Sequence, residues 1–233
     1  MSDKHLSTQF DSDLTNISTR TMEMGGLVES QIREAILALT KYSAEKADRV
    51  LEIELQVNAM EIEIDREISS IISRRQPAAR DLRLLMAISK TITNLERAGD
   101  EATKMAKMVK SIIDHGMIRS LPMNDLHISA DMAATLLNKS LDAFARLDTN
   151  LALEILKDDD LIDQEFGGFL RKLVTYMMED PRTISSSLDL VFLAKAIERI
   201  GDHAKNIAEL VIYIVKGEDV RHSPIELVES TIA

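Results

Sequence analysis

The sequence predicts an all-α protein, six long helices arranged as two tandem, sequence-related three-helix bundles over residues 1–116 and 117–233. Three observations predict it. Apolar residues recur in alternating steps of four and three, the seam of helices packed at small angles to their neighbours. Gly (8) and Pro (4) are too scarce in 233 residues for many strands and turns. One stretch also occurs twice, 102 residues apart: Leu95-Glu96-Arg97-Ala98-Gly99-Asp100-Glu101-Ala102 and Ile197-Glu198-Arg199-Ile200-Gly201-Asp202-His203-Ala204.

The first helix is expected over residues 6–42, on the seam Phe10, Leu14, Ile17, Thr21, Met24, Val28, Gln31 and Ala35, with Gly25-Gly26 a place for a kink. The second follows Val50, Ile53, Val57, Met60, Ile64, Ile68 and Ile71, and must end before Pro77. The third carries Leu85, Ile88, Ile92, Leu95, Gly99, Ala102, Ala106, Val109 and Ile113, small in its middle. His115 to Pro122 reads as the link between halves. The fourth helix contains Met132, Leu136, Ser140 and Phe144; the fifth contains Ile155, Ile162, Phe166, Leu170, Leu173 and Met177. Asp180-Pro181 ends the fifth and offers the sixth an N-cap and a first-turn proline. The sixth, with Leu190, Ala194, Ile197, Gly201, Ala204, Ala208, Val211 and Val215, repeats the third position by position. A short tail follows Gly217.

Composition narrows the function. The net charge of -11 repels a phosphate backbone, and 3% aromatics leave little for base stacking, so no nucleic acid is expected. With no Cys there is no disulfide, thiol nucleophile or thiolate metal site. Met1 to Thr15 has no signal-peptide pattern and Leu210 to Val215 is far short of a membrane span, so a cytosolic protein is expected.

Carboxylates lie one residue off the seams. Glu96 and Asp100, and Glu198, Asp202 and Asn206, flank the repeated stretch at i, i+4 spacing, which puts them on one helix face. Glu54, Asn58, Glu61 and Asp65 form a similar line on the second helix, and Asp159 and Asp163 on the fifth. If these lines face each other, like charges converge and favour raised pKa values or a bound Mg²⁺, Mn²⁺ or iron. Solvated acidic faces, or pairing with Arg97 and Arg199, account for the same residues without a metal. His203 is a candidate ligand, but because its counterpart in the repeat is Glu101 it reads first as an exposed or capping residue. A di-iron oxidase would need Glu-x-x-His pairs, which the chain lacks; a bare helical scaffold would not need the same acids twice.

The duplicated E-R-x-G-D, the run Asp202-His203-Ala204-Lys205-Asn206-Ile207-Ala208-Glu209, the closing Gly217-Glu218-Asp219-Val220-Arg221-His222, and Pro77 followed by Arg80-Asp81-Leu82-Arg83 closely resemble the PhoU family over essentially the whole chain. The resemblance implies a cytoplasmic, usually dimeric, non-enzymatic repressor of the phosphate-starvation response. It would reach the membrane only through partners, the ATPase subunit of the phosphate transporter and a membrane sensor histidine kinase. It also implies metal binding, with Glu96, Asp100, Glu54 and Asn58 as ligands in the first half and Glu198, Asp202, Asn206, Asp159 and Asp163 in the second. Lys104 stands where the family pattern has Asn, one turn beyond Asp100. The second half is therefore expected to bind metal more tightly.

Overall fold

The computed structural model describes residues 8–115 and 123–232. They form α1 (Thr8–Lys41), α2 (Ala44–Arg75), α3 (Ala79–His115), α4 (Met123–Arg146), α5 (Thr149–Glu179), a 3-10 turn (Pro181–Thr183), α6 (Ile184–Lys216) and α7 (Ile225–Ile232). No strand occurs among the described residues. The expected division at 116/117, with Gly116 and Pro122, lies outside them.

Each half opens on a helical hairpin closed by only two residues, Tyr42-Ser43 and Leu147-Asp148, so the paired helices must run antiparallel. The hairpins are built alike. Tyr42 (φ 50°) and Leu147 (φ 52°) take the left-handed turn, and Ser43 and Asp148 then accept hydrogen bonds from the first free amides of α2 and α5. At the end of α2, Gln76 caps in the left-handed conformation, and Pro77 bars continuation.

The seams form most of the core, but in α5 Phe169 is buried while Phe166, Leu170 and Met177 of the expected seam are only partly so. All eight α1 positions are buried, including the polar Thr21 and Gln31, and α1 runs unbroken through Gly25-Gly26. In α6 the seam holds from Leu190 to Val211, but Val215 is exposed. The 3-10 turn is a further difference: Asp180 caps that turn, with Pro181 in its first position, and α6 starts only at Ile184. The tail is another. Its helix α7 buries Val228 and is tied to α5 by Lys157–Glu229 at 2.5 Å.

Within each half the three helices pack against one another, and the halves meet where α1 faces α4 and α3 faces α6. Residues of α3 meet partners of falling number in and just beyond α6, Arg83 against Gly217, Lys90 over Tyr213, Asn94 at Asn206 and Glu101 at Arg199. The two helices therefore cross antiparallel, centred near Gly99 and Gly201. Gly25 sits in the α1–α4 contact, where a Cβ would lie 2.6 Å from Leu141, whereas Gly26 has nothing within 4 Å. Gly26→Ala should accordingly stabilise the protein by about 0.5 to 1 kcal/mol through helix propensity alone, and Gly25→Leu should destabilise it by about 1 to 3 kcal/mol through overpacking. Urea denaturation of the two variants checks the pair; equal midpoints would mean that α1 and α4 are not in contact.

Candidate metal centre

In the first half, α2 and α3 turn their acidic lines toward each other. Glu54, Glu96 and Asp100 each offer a carboxylate oxygen, and the three oxygens lie within 4.8 Å of one another. Gly99 makes this approach possible, since a Cβ there would fall 2.7 Å from Gln31 Oε1 and 3.3 Å from Glu54 Oε2. Gln31 crosses from α1, fully buried, and its Nε2 donates to Glu54 Oε2 at 2.6 Å and to the Gly99 carbonyl at 3.2 Å. Thr103 Oγ1 donates to the same Glu54 oxygen at 3.2 Å. Glu61 joins the group, held by Thr93 Oγ1 at 3.3 Å.

The electrostatics match the geometry. Burial raises the Glu96 carboxyl above its usual range, and the charges of Asp100, Glu61 and Glu54 add to that. Burial likewise raises Glu61, with Asp65 and Asp100 contributing. Among the described residues no Lys or Arg comes within ion-pair distance of Glu54, Glu61, Glu96 or Asp100. Lys104 pairs with Glu101 at 2.8 Å rather than with Asp100, so the competition expected from the sequence does not arise. Asn58, one turn along α2 from Glu54, has a buried side-chain oxygen without a hydrogen-bond partner. Converging carboxylates, an unsatisfied amide oxygen and only oxygen donors fit a hard divalent cation.

The second half repeats the acids with different company. Asp159 is 2% exposed and Glu198 and Asp202 are partly buried, but Asp163 is exposed, so it borders this cluster rather than closing it. Burial pushes the Asp202 carboxyl up to about 6, reinforced by Glu198, Asp159 and Asp163. Two lysines meet these acids: Lys205 Nζ stands 2.7 Å from Asp159 Oδ2, and Lys195 Nζ stands 2.5 and 2.6 Å from the two oxygens of Glu198. Asn206 donates to Asn94 of α3 at 3.1 Å. The expectation of a tighter second site thus meets ammonium groups already in place.

Between α3 and α6 lies a cleft of about 780 Å³, walled in part by Asp100 and Asp202 and by the repeated Arg97 and Arg199. Arg199 pairs with Glu101 across it at 3.2 Å. His203 is neither exposed nor a cap: its Nδ1 lies 3.1 Å from Asn94 Oδ1 on α3, and burial pushes its pKa down to about 4. Sequence reasoning placed Gln31 only in a seam and gave no role to Thr103, Lys195 or Lys205. A glutamine among apolar seam residues was the available sign.

The fold is a duplicated all-helical bundle whose repeats each carry facing lines of carboxylates. A family model described as PhoU domain matches the chain twice, at residues 21–109 and 126–211. The chain belongs to the PhoU family. It is 50% identical over the full length of both chains to a phosphate-specific transport system accessory protein PhoU homolog from Burkholderia sp. It is 46% identical to the accessory protein PhoU of Escherichia coli (strain K12), over 94% of this chain and 90% of that one. The crystal structure of PhoU from Pseudomonas aeruginosa superposes with a TM-score of 0.87 at 44% identity, covering 90% of this chain and all of the other. A phosphate transport system regulatory protein PhoU from Streptococcus pneumoniae gives 0.83 at 25% identity, over 91% and 99%.

Proposed function

We propose that the protein is a non-enzymatic negative regulator of phosphate uptake and of the phosphate-starvation response. It works in the cytoplasm as a homodimeric adaptor between the ATPase subunit of the high-affinity phosphate transporter and a membrane sensor histidine kinase. The carrying observation is identity of nearly one half along the whole chain to proteins named as accessories of phosphate-specific transport. No helix among the described residues is long and apolar enough to cross a membrane, which agrees with recruitment through partners.

The reading includes a cation, Mn²⁺, Mg²⁺ or iron, in the first repeat, held by Glu54, Glu96 and Asp100 with Asn58 beside them. When bound, it neutralises the cluster. Gln31 and Thr103 keep Glu54 turned toward its neighbours, and Gly99 keeps the space between α2 and α3 open. Residues 1–116 and 117–233 then serve as two repeats of one unit with separate charge states.

Deleting the protein should switch on a phosphate-starvation reporter in phosphate-rich medium, and affinity purification from phosphate-replete cells should recover the transporter ATPase and the kinase. A silent reporter in the deletion strain, with transporter and kinase intact, would remove the regulatory reading and favour a structural scaffold.

A further inference from the structure

The two carboxylate clusters are built at matching positions, and among the residues that differ between them the additions of positive charge outweigh the one added acid, Asp163 in place of Asn58. Glu54 matches Asp159, Glu96 matches Glu198 and Asp100 matches Asp202. Around these acids the first repeat has Thr93 and Thr103, and the second has Lys195 and Lys205. The hydroxyl of Thr103 donates to Glu54, whereas the ammonium of Lys205 pairs with Asp159. Thr93 donates to Glu61, whereas Lys195 binds both oxygens of Glu198. Glu61 is itself replaced, at the matching position in α5, by Phe166, over whose ring Lys195 lies 5.4 Å from the centroid. Glu61 is lost and the exposed Asp163 is gained in place of Asn58, two ammonium groups are gained, and the new aromatic face holds one of them.

We propose that Lys195 and Lys205 occupy the role of the cation in the second repeat, so that this chain binds its divalent ion in the first repeat only. A carboxylate cluster needs positive charge from somewhere. Here a mobile ion supplies it in one half and covalently attached ammonium groups supply it in the other. The inference rests on the first cluster being a cation site, but the lysines' part can be tested apart from it.

The experiment is Mn²⁺ titration by calorimetry on the full chain, with bound metal counted by elemental analysis after dialysis. In the wild type, Glu96→Gln should abolish binding, and Glu198→Gln should leave the Mn²⁺ per chain unchanged. The double variant Lys195→Thr/Lys205→Thr should double the Mn²⁺ per chain. The reciprocal Thr93→Lys/Thr103→Lys should lose Mn²⁺ altogether while keeping its helical circular dichroism. If the lysine double variant fails to fold, Lys195→Thr alone, at a side chain 43% exposed, should show a second binding event at least tenfold weaker than the first. A folded double variant with an unchanged metal count overturns the proposal, as does a wild type that loses half its Mn²⁺ on Glu198→Gln. If the wild type binds nothing but the double variant binds Mn²⁺, the first-repeat site fails and the lysines' role stands.

Discussion

Gly99→Leu should lower stability by about 3 to 5 kcal/mol. The overpacking itself accounts for about 1 to 3 kcal/mol. The rest comes from what must move. The new Cβ would sit 2.7 Å from Gln31 Oε1, and the amide that this pushes aside is the donor held 2.6 Å from Glu54. A buried carboxylate that loses such a donor forfeits about 1.5 to 3 kcal/mol. At the matching Gly201 a Cβ meets a methyl group of Ile162 at 3.0 Å and Asp159 at 3.6 Å. Asp159 keeps its lysine, so Gly201→Leu should stay within about 1 to 3 kcal/mol. Urea midpoints for the two variants decide it, and equal losses would mean that Gln31 is not positioning Glu54.

The second large effect is on the pH dependence of stability, where two neighbouring groups oppose each other. Asp202 titrates near 3.8 when exposed and at about 6 in the folded chain. Folding therefore binds a proton at intermediate pH, and the penalty of the ionised group is absent below 3.8, grows with pH and is complete above 6. His203 runs the other way. Its pKa falls from 6.5 to about 4, so its penalty is absent above 6.5, grows as pH falls and is complete below 4. Each shift corresponds to at most about 3 kcal/mol, which water reaching these partly buried groups reduces to about 1 to 2 kcal/mol. Between pH 4 and 6 the slopes nearly cancel in the wild type. Asp202→Asn should be more stable than wild type at pH 7 and lose that gain toward pH 4. His203→Gln should gain at pH 4 and match wild type at pH 7. Urea denaturation at pH 4.5, 5.5 and 7 tests both signs; two variants parallel to wild type would show that neither group is desolvated by folding.

The helices were legible because burial follows the period of the apolar residues, and a seam counted along the chain is local information. The same held for the acids of α2 and α3, since a face one residue off the seam must border the helix interface. Ion-pair partners were not legible. Lys104 lies at i+4 from Asp100 and at i+3 from Glu101, and spacing allows either contact. Glu101 takes it because that carboxylate is only 5% exposed and needs positive charge more than Asp100 does. Lys205 and Asp159 are 46 residues apart, on helices whose rotation about each other no periodicity reports. His203 read as a surface residue because its partner Asn94 belongs to the other repeat, 109 residues away.

The antiparallel crossing of α3 and α6 about Gly99 and Gly201 has the form of an isologous contact, with position 101 of one repeat facing position 97 of its twin: Glu101 binds Arg199, and Arg97 acts on His203. Had a single repeat dimerised to make this contact, identical chains would carry identical residues on both sides, and every mutation would arrive twice. Joining the repeats in one polypeptide removes that constraint. Position 101 is glutamate on one side and histidine on the other, and position 103 is threonine here and lysine there, so a substitution intolerable as a matched pair becomes acceptable as a single event. Tandem fusion thus gives this protein what a symmetric dimer is denied: two versions of one site, free to specialise separately.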